Sequence, residues 1–349
     1  MLPRERLDEL QERRILTISP FVEPNHDVES YWRWMRSTGE EAEWVRATSE
    51  SFLQAGADLL RTASLFASRC ALLENQVAVD TYGLNKAAAS VARHIVDRWN
   101  QASPERPAFV LGVVASMFRW VGIGCSPDMP EKRNIEFDPL VDDFRVQLDG
   151  LRDGGADLIE AAMVYDLLTL KALLVARQSS AARDLPLMVS FTLSDCTGRL
   201  ISGHTLEAAY SALSSADVYS FGVDAVACMD SIVDAAIGLS RLCHAMFHYT
   251  LTVAYPQSPI ISHREIQQQI ARFSEDGLIN SAGTNVGGNA ATTSLVSEIA
   301  RRHAPQRRRV SAPFAPPRKV FKPRLAGLLV ARPAQDLTKP DECRPESVI

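Results

Sequence analysis

The chain has 349 residues with 37 Lys and Arg against 42 Asp and Glu, a formal net charge of -5, and 46% hydrophobic residues. That length allows one large core such as a barrel of about 250–300 residues. The acidic balance argues against general capture of nucleic acid, and the lack of any run of about 18 apolar residues argues against a membrane span.

In chain order, short apolar runs predict strands at Arg14–Ser19, Ala57–Ser64, Phe109–Ala115, Ala156–Met163, Pro186–Leu193, Asp217–Asp224, Tyr249–Tyr255 and Leu278–Asn285. Continuous apolar runs of this length suit parallel strands covered on both faces. Segments with helical spacing lie between them, at Ser49–Ala55, Leu140–Leu151, Leu206–Leu213, Ser231–Ala245 and Ser294–His303. Two of these end in a glycine followed by Ala-Asp and a strand: Gly56-Ala57-Asp58 and Gly155-Ala156-Asp157. Eight strands alternating with helices predict an α/β fold, a closed (β/α)8 TIM barrel over residues 1–303. From residue 304 prolines mix with seven basic residues between Arg307 and Arg324, so residues 304–349 are read as an extended or disordered tail.

The start, MLPRERLDELQERR, is charged and amphipathic and lacks the apolar core of a signal peptide. Six cysteines (Cys70, Cys125, Cys196, Cys228, Cys243 and Cys343) lie far apart with no CxxC pair, which suits free thiols and a cytoplasmic location. No P-loop, GxSxG or GxGxxG follows a strand; Gly122-Ile123-Gly124 lacks a third glycine. His244 and His248, four apart, are read as straddling a helix end and a strand start rather than chelating a metal. Trp32, Trp34, Trp44, Trp99 and Trp120 are read as core or lid packing.

Residues 190–205 read SFTLSDCTGRLISGHT. Thr192, Asp195, Gly198, Arg199, Ser202, Gly203 and Thr205 fall in step with a motif of the homocysteine S-methyltransferase family, which the chain resembles over about residues 8–303. Arg133–Asp138 (RNIEFD), the two Gly-Ala-Asp strand starts, Phe221-Gly222 and Asn285-Val286-Gly287-Gly288 agree in order and spacing. The resemblance implies a barrel whose three cysteine thiolates hold a zinc ion, which activates the sulfur of homocysteine for methyl transfer. At those three positions this chain carries Ala225, Asn289 and Ala290. Other family signatures at strand ends are replaced too, by Ser19–Pro24, Arg61–Ser64, Ala115-Ser116, Ala162-Met163 and Tyr255–Gln257. Strand C-terminal ends build the site in this fold, so the scaffold is kept while the site is changed.

Zinc is therefore expected to be absent, and no other cofactor is implied. Cys228, three residues past Ala225, is one thiol and cannot make a four-coordinate site. Thr62, Ser64, Asp195, Asp224 and Asn289 are candidate binding residues for a small polar or amino-acid-like ligand. Arg61 either holds an anion or pairs with Asp58 or Asp224. One reading is a catalytically degenerate binding or regulatory subunit, or a remnant, working with a cobalamin or folate methyltransferase partner protein. The alternative is an active, zinc-independent methyltransferase using Asp195 and Asp224. An open polar mouth favours ligand binding; a mouth filled by Phe21, Met163 and Tyr255 counts against it.

Overall fold

The computed structural model describes residues 3–22, 40–74, 80–116, 119–126, 129–193, 197–213, 215–226, 230–254 and 260–303. Eight strands close into a barrel: β1 (Leu16–Ile18), β2 (Leu59–Arg61), β3 (Phe109–Val114), β6 (Leu158–Val164), β7 (Leu187–Leu193), β8 (Ser220–Ala225), β9 (Met246–Leu251) and β10 (Ser281–Thr284). They run parallel in the order β1-β10-β9-β8-β7-β6-β3-β2, and the Ile18 to Leu59 pairing closes the ring. Between β3 and β6 sits a separate antiparallel hairpin, β4 (Gly124–Ser126) and β5 (Met129–Arg133), which the sequence reading leaves unassigned.

The helices are α1 (Pro3–Arg13), α2 (Glu40–Gln54), α3 (Arg69–Glu74), α4 (Thr81–Ala102) and α5 (Phe137–Asp153), followed by α6 (Leu167–Ser179), α7 (Leu206–Leu213), α8 (Asp230–Leu242), α9 (His263–Glu275) and α10 (Ala290–Arg302). The strongest amphipathic ones bury a single stripe, as Ile266, Ile270 and Phe273 do on α9. Among the described residues no helix is long and apolar enough to cross a membrane. The basic tail from residue 304, with Trp32, Trp34, Asp195, Cys228 and Tyr255, lies outside the described residues.

The Gly-Ala-Asp repeat has a mechanical explanation. Gly56 and Gly155 adopt φ of 108° and 98°, a region that side chains disfavour, and turn the chain out of α2 and α5. The aspartate that follows clamps the start of the neighbouring strand. Asp58 accepts from the Thr17 N–H at 2.9 Å and from Arg14 at 2.6 Å. Asp157 accepts from the Val110 N–H at 2.7 Å and from Arg93 at 2.9 Å. Asn280 repeats the device before β10, accepting from the Phe247 N–H at 2.9 Å.

The N-terminal end of the barrel is filled by apolar side chains. Leu16, Ile18, Leu59, Phe109, Leu111, Leu158, Met188 and Met246 form this layer, and Leu7 of α1 packs into it. Gln11 of α1 donates to Ser281 at 3.1 Å and accepts from the Tyr219 hydroxyl at 2.8 Å. Helix α1 is thus the plug at the bottom of the barrel. Leu7 is fully buried, so Leu7→Ala should lower unfolding stability by about 2–5 kcal/mol in urea titrations. A loss near zero would mean that α1 lies loosely on the barrel.

Candidate functional site

Above the apolar layer the barrel interior turns polar. Arg61, at the end of β2, is completely buried and forms a two-pronged ion pair with Glu160 of β6, at 2.7 and 2.8 Å. Neither Asp58 nor Asp224 is its partner, which corrects the sequence expectation: Asp58 is engaged by Arg14 at the other end of the barrel. Arg61 also donates to the carbonyls of Ser19, at 2.7 Å, and Thr284, at 3.2 Å, and its guanidinium lies 4.4 Å from the Phe21 ring centre. Burial alone would raise the Glu160 pKa, but the Arg61 charge and the hydrogen bonds from Arg61 and Ser190 hold it below the ordinary carboxylate value.

The network continues around the barrel. The Ser190 hydroxyl donates to Glu160 at 2.6 Å and lies 2.9 Å from His248 Nε2. The Ser220 hydroxyl lies 2.8 Å from His248 Nδ1. Burial pushes the His248 pKa down to about 4, against the pull of Glu160, so the imidazole is neutral at pH 7. Room for this ring comes from Gly222 on the adjacent strand: a Cβ there would stand 2.3 Å from both the His248 ring and its carbonyl. His248 also explains why β9 starts at Met246, three residues before the expected Tyr249. A histidine interrupts the apolar run, yet its two ring nitrogens are matched inside the barrel.

A second polar group lines the C-terminal end of β7 to β10. Thr192 pairs with Asp224 in the β7–β8 register, and Asp224 with Thr250 in the β8–β9 register, so the three share the inner face. Thr252 donates to Asp224 Oδ1 at 3.1 Å, and Asn285 Nδ2 donates to the Thr250 hydroxyl at 3.3 Å. Burial pushes the Asp224 carboxyl up to about 6, against the opposing influence of the Arg61 charge, the nearby Asn285 amide and the Thr252 hydroxyl. Asp224 Oδ2, Asn285 Oδ1 and Thr192 Oγ1 are buried without a hydrogen-bond partner.

The other sequence candidates are placed differently. Thr62 and Ser64 are buried, hydrogen-bond each other at 2.7 Å, and clamp Val113: its N–H donates to Thr62 at 2.9 Å and its carbonyl accepts from Ser64 at 2.7 Å. Asn289 is exposed and caps α10, its side chain accepting from the Thr292 N–H at 3.1 Å. Ala225 is fully buried in the hydrophobic core and Ala290 begins α10. Of the five candidates only Asp224 brings an unpartnered group to the inner wall; Asp195 lies outside the described residues. Sequence reading missed Glu160 and Ser190 and saw His248 only as a residue at a strand start, because nothing in their local sequence marks them as neighbours across strands.

Of the three side chains whose filling of the mouth would count against ligand binding, two are packed in and Tyr255 lies outside the described residues. Phe21 and Met163 are both buried. Met163 has φ of 52°, a left-handed backbone, where the β6–β7 register shifts. A cleft of about 500 Å³ lies at the opposite end of the barrel, between Arg6, Arg93, Asp97, Asn100, Phe109 and Asp157. Its Arg93 is matched by Asp97 and Asp157, each at 2.9 Å, and strand N-terminal ends in this fold serve stability.

A parallel eight-stranded barrel with its polar residues at the C-terminal strand ends defines the (β/α)8 class. The model of the homocysteine S-methyltransferase family matches residues 7–300, and the chain belongs to that family. Its fold is similar to that of the Escherichia coli homocysteine methyltransferase MmuM. The metallated form of that protein aligns with a TM-score of 0.68 at 16% identity, covering 85% of this chain and 99% of that one. The oxidized form gives a TM-score of 0.67 at 15% identity, covering 86% and 100%. Within the family motif of residues 190–205, residues 197–205 form a structural turn. Arg199 donates to the Gly203 carbonyl at 3.0 Å, Gly198 and Gly203 take positive φ, and the Thr205 hydroxyl accepts from the Ala208 N–H at the start of α7.

Two predictions follow from the buried charges. Arg61→Met strands Glu160 in the barrel and should cost about 3–5 kcal/mol of unfolding stability, while adding Glu160→Leu should restore most of it. Equal losses in the single and double variants would mean that the pair does not act as a unit.

The second concerns pH. The Asp224 carboxyl, raised from 3.8 to about 6, binds its proton more tightly when folded, so its contribution to stability falls as pH rises through that window. His248, lowered from 6.5 to about 4, acts oppositely: its contribution is lost as pH falls through its window. Asp224→Asn removes only the first effect. Its stability relative to the unsubstituted protein should therefore rise between pH 4 and pH 7, by roughly 1–3 kcal/mol. A pH-independent difference in chemical denaturation would contradict the assignment.

Proposed function

We propose that this protein is a homocysteine S-methyltransferase family member that has given up zinc–thiolate chemistry and serves as a binding or regulatory barrel. One observation carries the reading: the positions where the family resemblance implies three thiolates hold a core methyl, a helix cap and the first residue of that helix. The side chains of Ala225 and Ala290 have no atom that can bind a metal, and the Asn289 side-chain oxygen accepts from the Thr292 N–H. This donor set does not fit a zinc site that needs several nitrogen or sulfur ligands. The Arg61–Glu160 pair supports the reading further, because it fills the axis of the barrel with groups that satisfy each other. The ligand is a small polar or amino-acid-like molecule, and a cobalamin- or folate-dependent methyltransferase is the partner class that fits a subunit role. The cell compartment that suits this reading is the cytoplasm.

A second reading, zinc-independent methyl transfer, is favoured by the Asp224 carboxyl at about 6 with a free oxygen. It would take the proton from an acceptor thiol while the sulfur accepts the methyl group. The two readings are separated by incubating the full chain with homocysteine and sulfonium or methylfolate donors, alongside a thermal-shift panel of homocysteine, methionine and related amino acids. The first reading expects a raised Tm with at least one amino acid and no product above background. Product that disappears in Asp224→Asn would move the assignment to the second, and product that depends on added zinc would overturn both.

A further inference from the structure

The oxygens left over on the inner wall have a common character. Asp224 Oδ2 and Asn285 Oδ1 can only accept hydrogen bonds when the carboxyl is ionised, and Thr192 Oγ1 can accept as well as donate. Each belongs to a side chain buried to within 1% of its surface. They lie on one face of neighbouring strands: Thr192 on β7 beside Asp224 on β8, then Thr250 on β9, to which Asn285 donates from the end of β10. Buried oxygens without a donor are costly, and native structures leave few of them without a reason. Three at the C-terminal end of one barrel wall, where this fold builds its sites, mark a place that is short of donors.

Charge points the same way. Arg61 and Glu160 neutralise each other, and His248, hydrogen-bonded to two serines, is held neutral chiefly by its burial. Among the described residues no ion pair reaches Asp224. An ionised Asp224 therefore leaves one negative charge on this wall. The complement of three acceptors and one negative charge is a compact cation carrying three N–H donors.

We propose that Thr192, Asp224 and Asn285 form a subsite for the primary ammonium group of a small amine ligand. The proposal rests on the binding role argued above and specifies what that site recognises. Recognition through the ammonium needs no thiol, which suits a barrel without thiolate-held zinc. A ligand carboxylate is not required, because the Arg61 guanidinium is already occupied by Glu160 and two carbonyls.

The test titrates the full chain by calorimetry with three probes of similar size: methionine, 3-(methylthio)propylamine, and 2-hydroxy-4-(methylthio)butanoate. The first two carry the ammonium, the second has no carboxylate, and the third replaces the amine with a hydroxyl. Both amines should bind, and the hydroxy acid should bind about ten-fold more weakly or worse, since a charge-assisted hydrogen bond is lost. Asp224→Asn, with its fold checked by circular dichroism, should erase that preference, and Asn285→Leu should reduce it. A hydroxy acid that binds as well as the amines would overturn the ammonium subsite while leaving a binding barrel in place. Binding by none of the probes would remove the binding role, and the subsite with it. A Tm raised equally by potassium chloride, but not by choline chloride, would reassign the wall to an inorganic cation and overturn the proposal.

Discussion

The two-pronged contact between Arg61 and Glu160 sets the terms for the rest of the barrel interior. A guanidinium with no exposed surface cannot exist without a matched anion, and here the match spans from β2 to β6. Once that pair is fixed, Ser190 must turn to Glu160, His248 must sit between Ser190 and Ser220, and Gly222 must leave out a side chain. Phe21 then lies over the guanidinium. The consequence is an asymmetric barrel end: the side near β1, β2 and β6 is filled and self-satisfied, while the wall from β7 to β10 keeps polar oxygens to spare.

That division bears on function. Family membership follows from a match spanning residues 7–300, and the barrel follows the same architecture as MmuM. Much of what sits at the strand ends, such as Arg61, Met163, Asp224 and Ala225, is this chain's own. Thr192 and Asn285 belong to the polar wall, whereas many of the residues that carry the family resemblance prove to be mechanical: glycines with positive φ, aspartates that clamp strand starts, and a threonine that caps a helix. Such features persist for the sake of the barrel whatever chemistry the barrel performs, so a strong match along the chain does not carry a zinc mechanism with it.

The fold was legible because its signals are local. Apolar runs marked all eight strands, and the spacing of Leu206–Leu213 marked α7 to the residue. The misses have physical causes. A charged, polar start such as Pro3–Arg13 gives no hint that Leu7 and Gln11 plug a barrel, because the partners lie up to 270 residues away. Likewise β9 was placed late because a buried histidine reads as a break in an apolar run. The site was less legible. Asp224 could be placed at the mouth by counting along β8, but whether Thr62 and Ser64 face a ligand or Val113 is decided by packing between strands. Arg61 was visible as a misplaced cation, whereas its relation to Glu160, Ser190 and His248 was not, since that relation exists only in the closed ring.

The central claim is that the barrel has kept the family's scaffold without its zinc. Its most direct test is elemental analysis of the purified full chain after equilibration with excess zinc and removal of unbound metal. The account predicts well below one zinc per chain, with no change on Cys228→Ala. Close to one zinc per chain, lost in Cys228→Ala, would contradict it.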